Sequence, residues 1–305
     1  MWRHESAGPD LTAQHNAPSN SAAARLPALP ARLPARSARD LGRLARRSLE
    51  LELFTWPKPG LVSHVDSGAH EDMDANLLHA SAQCLEPFFT QLAASGASGA
   101  TLPMLRDIGI AAERAMLEVT CGVNTHRGAI FGLGLLSAAA GGLILQDTSA
   151  AHSLGEYVRQ AWGRSLRMTP PKGSHGAEVF ARYGAGGART EAASGFINVY
   201  LIGIPALRRA RRLGAGEEAA RVQACFALIA AVADTNILYR AGPDGLEYAQ
   251  EVARRFLAEG GVQRDDWRER AAQAHLDFIS RRLSPGGCAD LLAMTLFIDA
   301  IEVCR

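Results

Sequence analysis

Residues 128–145, GAIFGLGLLSAAAGGLIL, run for eighteen positions without a charged side chain. A stretch of that length either crosses a bilayer or is a helix covered on every side by its neighbours. Five of its residues are glycine, and the polar group Asn124-Thr125-His126-Arg127 stands directly before it. Small residues let other helices approach closely, and polar residues at the mouth of a helix serve capping or binding. We therefore expect a central, buried helix in a soluble protein and no membrane segment.

The surrounding sequence fits that frame. Leu41, Leu44, Ala45, Leu49 and Leu53 recur at helical spacing behind Ser37, a candidate N-cap, and Pro57 and Pro59 end that helix. Further helices are expected over about 74–94, bent at Pro87, then 102–119, 150–167, 189–212 with a kink at Pro205, 216–238, 245–258, 264–283 and 288–304. Strand alternation is almost absent, and aromatics make up only 6% of the chain. The fold class expected is all-α: a single-domain multi-helix bundle around one apolar helix, over residues 37–305. Residues 1–36, which include LPALPARLPAR, read as a disordered or loosely attached tail, because repeated prolines block a helix and apolar content is low.

Charge and cysteine usage exclude several classes. With 32 Lys+Arg against 31 Asp+Glu, nothing draws the chain to nucleic acid. The five cysteines are scattered and form no CxxC pair, which argues against a zinc site or a disulfide framework and fits free thiols in a reducing cytoplasm.

Polarity is concentrated between the helices, in residues 55–74, 122–128, 171–196, 233–240 and 284–292. A helix N-terminus with unpaired N–H groups receives phosphate well, and Arg127 and His126 would add donors there. Asn124 and Thr125 equally suit plain N-capping. Asp66, Asp72, Asp74, Asp234 and Asp290 offer oxygens of the kind Mg²⁺ prefers, yet Asp234 could simply cap the following turn and Asp74 the helix it precedes. Together the clusters suggest metal-assisted chemistry on a phosphorylated substrate. An all-helical binding module with well-capped helices is the competing reading.

Five segments carry a resemblance: PKPGLVSHVDSGAHEDMD, LRDIGIAAERAMLEVTCGVNTHRGAIFGLGLL, GARTEAASGF, DTNILYR and SPGGCADLLAMTLF. In order and content they resemble the triphosphoribosyl-dephospho-CoA synthases, over about residues 50–300. The resemblance implies a transferase joining ATP and 3′-dephospho-CoA. The 2′-hydroxyl of the dephospho-CoA ribose attacks C1 of the ATP ribose, adenine leaves, and the triphosphate stays on the transferred sugar. The product is the precursor of the acyl-carrier prosthetic group of malonate decarboxylase or citrate lyase. Arg127, where lysine also occurs in relatives, favours the malonate decarboxylase branch. A separate transferase and an acyl-carrier subunit would act downstream, and a homo-oligomer is compatible with the sequence. ATP as a ribosyl donor agrees with the lack of a GxxxxGK[ST] loop anywhere in the chain.

Breaking the ribose–adenine bond builds oxocarbenium character at C1, so the site needs negative charge near the sugar, a base for the hydroxyl and clamps on the triphosphate. The expected roles are as follows. Glu113 is the first candidate base, on the apolar side of its helix where a carboxylate would hold a proton more tightly, or else a surface residue paired with Arg114. Glu191 is the second choice, with His70 as a further catalytic group. Lys58, Asn124, Thr125, His126, Arg127, Lys172 and Arg189 bind substrate, and Asp72, Asp234 and Asp290 contact Mg²⁺. Two other functions stay open on the residues alone: a metal-dependent hydrolase of N-ribosyl or ADP-ribosyl bonds, and a non-catalytic helical nucleotide-binding protein.

Overall fold

The apolar run becomes helix α4 (Arg127–Ile144), with α1 (Ala38–Leu53), α2 (Ala75–Ala97), α3 (Leu102–Val119), α5 (Leu154–Ala161), α8 (Ala188–Ala193) and α13 (Gly286–Glu302) packed against it. The structure is a computed structural model and describes residues 37–144, 153–168 and 175–302, all within one unit, Ala31–Arg305. The expected tail and Lys172 lie outside the described residues. The remaining elements are α6 (Gly163–Met168), α7 (His175–Tyr183), a π-helical turn (Val199–Gly203), α9 (Ile204–Arg212), α10 (Glu217–Ala231), α11 (Thr235–Ala258), a 3-10 turn (Gly261–Gln263) and α12 (Trp267–Ser280). Among the described residues there is no strand, and the all-α class is as expected. Among the described residues no single helix is long and apolar enough to cross a membrane; α10 and the segment after it reach that length only as a pair bent by 58°.

The glycines of α4 explain its composition. A Cβ on Gly128 would lie 2.1 Å from Asp290 Oδ2, one on Gly132 2.0 Å from Met294, and one on Gly141 1.9 Å from the Ala93 carbonyl oxygen. Gly96 of α2 meets the Ala138 carbonyl just as closely, at 1.9 Å. Two faces of α4 are thus bare so that α13 and α2 can touch its backbone, and Leu133, Leu136, Ala138 and Ala139 between them are wholly buried. Because backbone cannot give way as a side-chain tip can, Gly141→Ala is expected to cost about 3 kcal/mol. Gly109→Ala on α3, where nothing lies within 4 Å, should instead stabilise by about 0.8 kcal/mol. Thermal melts of the two variants check this; equal melting temperatures would contradict the packing.

Some boundaries differ from those expected. Residues 171–196, read as one long loop, contain α7 and α8, because Val179, Ala192 and Ala193 are buried and anchor these short helices. The segment 189–212 is not one kinked helix: Pro205 sits at the start of α9, after the π turn. The helix expected over 216–238 stops at Ala231 because Asp234 starts a new one, and α11 itself breaks at Gly242, where φ is +67° before Pro243.

Candidate functional site

The 55–74 loop is shaped from inside. Gly60 has φ +65°, and a Cβ there would strike the Leu283 carbonyl at 2.0 Å. Ala69 N–H donates back to the Gly60 carbonyl at 3.0 Å, closing the loop on itself. His275 of α12 buttresses it: the buried ring sets Nδ1 2.6 Å from the Lys58 carbonyl and Nε2 2.9 Å from Asp66 Oδ1. Asp74 then caps α2 through Leu77 N–H at 2.8 Å, so both ends of the loop are fixed.

Lys58 points inward and is fully buried. Its ammonium donates to the Glu52 carboxylate and, at 2.7 Å, to the Glu52 carbonyl. It is an internal ion-pair partner, not a free phosphate clamp. Burial lifts the Glu52 carboxyl above the usual range, against the pull of Lys58. The charges of Glu52 and Asp234 both act on Asp290. Burial first, then these two neighbouring carboxylates, push the Asp290 carboxyl well above its ordinary value.

Asp234 and Asp290 join the starts of three helices. Asp234 Oδ1 accepts the N–H groups of Asn236 at 2.8 Å and Ile237 at 3.2 Å, capping α11, while Oδ2 accepts Cys288 N–H of α13 at 2.8 Å. Burial raises its carboxyl, partly offset by those donors. Asp290 accepts Ala129 N–H, so the N-terminus of α4, expected to receive phosphate, already holds a carboxylate. Asp234 is 2% exposed, whereas Asp290 keeps part of its surface open.

The NTHR group is used in detail. Asn124 Oδ1 accepts Arg127 N–H at 3.2 Å, the capping role foreseen for it. Thr125 donates to Ser81 Oγ at 2.7 Å, which leaves the Ser81 proton for His126 Nδ1, also at 2.7 Å. The His126 proton therefore sits on Nε2, which is buried and meets no partner among the described residues. Burial, helped by the Lys58 ammonium, lowers this imidazole to about 4. The unfolded chain takes up a proton at an ordinary histidine value of 6.5 that the folded chain refuses until about pH 4. Stability from His126 is thus complete above pH 6.5 and is lost as pH falls toward 4. The raised carboxylates act in the opposite sense, so the comparison needs a variant. The advantage of wild type over His126→Asn in urea unfolding should shrink by about 2 kcal/mol between pH 7.5 and pH 5; an unchanged difference would contradict the assignment.

Arg127 and Glu113, the expected phosphate clamp and base, hold each other in an ion pair with side chains 46% and 34% exposed. Glu113 thus lacks the buried setting expected of it, and its partner is Arg127, not Arg114. Glu191 accepts Asn198 N–H at 2.8 Å and its side-chain amide at 2.7 Å, so both oxygens are engaged in starting the π turn. Arg189 donates to the Leu166 carbonyl at 3.0 Å.

His70 closes the loop against the segment that leads into α13. Its Nδ1 lies 3.2 Å from Asp72 Oδ1 and 3.4 Å from Arg240, and its Nε2 lies 2.8 Å from the buried Ser284 Oγ. Burial, then Arg240, lowers the imidazole, with Asp72 opposing. The ring borders a cleft of about 460 Å³ that Asp72, Arg240, Ile279 and Arg282 also line. A second concavity of about 280 Å³, beside Glu156 and Tyr200, contains none of the expected residues.

Four of the five polar clusters therefore meet: 55–74 with 284–292 through His70 and Ser284, 233–240 with 284–292 through Asp234, and 122–128 with 284–292 through Gly128 and Asp290. A family description covers the same ground. The family of ATP:dephospho-CoA triphosphoribosyl transferases matches residues 38–305. This chain belongs to that family. A Stutzerimonas stutzeri protein named "Probable 2-(5''-triphosphoribosyl)-3'-dephosphocoenzyme-A synthase" is 43% identical over 281 residues, 90% of this chain and 96% of its own. A Pectobacterium atrosepticum protein with that name, without the qualifier, is 38% identical over 269 residues, 84% of this chain and 87% of its own. No solved structure matches. Family membership makes the chain a transferase, and four of its five quoted segments are the ones that meet.

Sequence reasoning missed Glu52, Ser81, His275, Arg240 and Ser284. Glu52 lies six positions before Lys58, Ser81 sits in an apolar row of α2, and His275 is a lone histidine on a buried helix face. Arg240 and Ser284 stand in the quoted segments DTNILYR and SPGG, which was the only signal for them.

Proposed function

We propose that this chain transfers the triphosphoribosyl group of ATP to the 2′-hydroxyl of 3′-dephospho-CoA and releases adenine. The observation that carries this is the meeting of four of the five family segments, three of them where the carboxylates of Asp234 and Asp290 join three helix starts. The C1–N bond to adenine breaks, a C1–O bond to the acceptor ribose forms, and the hydroxyl proton leaves. Asp290 is the group suited to take that proton: its surface is partly open, and burial, then the like charges of Glu52 and Asp234, raise its affinity for a proton. The same cluster of negative charge stabilises a cationic sugar. His126, a neutral donor at Nε2, is available to an acceptor atom of the substrate, and Arg127 stays a candidate contact for phosphate if ATP displaces it from Glu113.

Mg²⁺ was expected on Asp72, Asp234 and Asp290. Among the described residues no three metal-binding side chains stand close enough to share an ion, and Asp234 and Asp290 serve as helix caps. Mg²⁺ bound to a nucleotide needs only one or two protein carboxylates, and Asp72, 59% exposed, fits that smaller part. When bound, the ion would neutralise triphosphate charge. The destination we favour is the malonate decarboxylase carrier, supported by Arg127 after NTH; deleting the gene should abolish malonate decarboxylation and spare citrate cleavage, and the reverse would overturn the assignment.

ATP labelled in its ribose tests the reaction. The label should move into the dephospho-CoA fraction. Label recovered as free ribose triphosphate would mean that water is the acceptor and the chain is a hydrolase.

A further inference from the structure

The cations expected to grip phosphate are mostly engaged elsewhere. Lys58 is paired with Glu52, Arg127 with Glu113, and Arg189 with a backbone carbonyl. The cleft beside His70 differs. Arg240 makes only long contacts there, 3.4 Å to the Ala69 carbonyl and 3.4 Å to His70 Nδ1. Arg282 stands 4.0 Å from Glu71, and those two side chains are 85% and 94% exposed. Both guanidiniums therefore retain most of their donors.

Arg282 also sits where the backbone prefers glycine. It ends α12 with φ +55°, and Leu283 N–H returns to the Phe278 carbonyl at 2.9 Å as in a left-handed helix end. Arginine in that conformation is less favourable than glycine, so its side chain has a use at this rim. The cleft, at about 460 Å³, is in the range of small-ligand sites. Its walls combine two guanidiniums with the open carboxylates of Glu71 and Asp72. That mixture suits neither a bare anion nor a bare cation; it suits polyphosphate oxygens together with the divalent cation they carry. Ser284, buried behind His70, fixes the ring that forms the wall.

We propose that this cleft is the polyphosphate subsite: Arg240 and Arg282 contact the phosphate oxygens, Asp72 and Glu71 face the accompanying Mg²⁺, and His70 is a positioning residue on the wall. That the polyphosphate belongs to ATP rests on the function proposed above; the cleft's chemistry does not.

Calorimetry on the full chain with inorganic tripolyphosphate, with and without Mg²⁺, tests it. Wild type should bind one tripolyphosphate in the presence of Mg²⁺. Arg240→Gln combined with Arg282→Gln should weaken binding at least about tenfold, Arg240→Lys with Arg282→Lys should recover part of it, and Asp72→Asn should reduce the gain from Mg²⁺. A melting temperature close to wild type shows that the glutamine variant is folded. KM for ATP should rise more than kcat falls. Unchanged tripolyphosphate binding in the folded glutamine variant, or none by wild type, overturns the assignment. If wild type still forms product in either case, only the subsite fails. If wild type forms no product while the variants lose tripolyphosphate, the subsite stands and the reaction fails.

Discussion

Lys58→Ala is expected to destabilise the protein by about 3–5 kcal/mol, because it removes one partner of a buried ion pair and leaves the other without compensation. Lys58 is fully buried, its ammonium is shared between the Glu52 carboxylate and carbonyl, and Glu52 is itself 5% exposed. The charges of Glu52 and Asp234 both act on Asp290, so losing the lysine leaves three carboxylates without this cation to offset them. Their remedy is protonation, which is why the fold should survive in weak acid better than at neutral pH in this variant. At about 2–4 °C per kcal/mol for a domain of this size, the melting temperature should fall by roughly 10 °C or more at pH 7.5. Removing both partners, as Lys58→Met with Glu52→Leu, should recover much of the loss, since a well-packed apolar pair is often no worse than a buried ionic one. A single variant melting within 2 °C of wild type would show that the pair is not what holds this loop.

Asp290→Asn is expected to lower kcat by about 10²–10⁴-fold, the range for loss of a general base, with little change in stability. Asparagine can still accept the Ala129 N–H that Asp290 accepts now, so the cap on α4 survives while the proton acceptor is lost. Asp234→Asn should do the reverse. Its carboxylate takes three backbone N–H groups with two oxygens, and an amide must turn an NH₂ toward one set of donors. The cost is about 1–3 kcal/mol of stability, with a smaller effect on turnover in the protein that remains folded. Steady-state kinetics and urea melts on both variants separate the roles; equal losses of activity at equal stability would show that the two aspartates act as one unit.

Much of the fold was legible because it follows from local rules. The uncharged glycine-rich run marked α4, Ser37 and Asp74 cap the helices they precede, and α3 covers the residues its spacing indicated. The long 171–196 segment misled because its glycines and charges mask short helices that only tertiary burial stabilises. Within the candidate site, sequence pointed to segments that the fold brings together, but not to the partners that their charged residues meet. Asn124 could be read as a cap from its own spacing. That Asp290 caps α4, more than 150 residues earlier in the chain, could not, nor that Arg127 would be met by Glu113 or that His275 would support Lys58 and Asp66. A charged residue's role is set by which opposite charge the fold brings beside it, and that information is not local. Arg240 and Ser284 were inside quoted segments yet carried no spacing that singled them out.

The most direct test of the central claim is chromatography of the base released from ATP by the wild-type chain with Mg²⁺, with and without 3′-dephospho-CoA. The account predicts free adenine, equimolar with a triphosphoribosylated dephospho-CoA, and only when the acceptor is present. ADP or AMP in place of adenine, or adenine formed equally well without the acceptor, would contradict it.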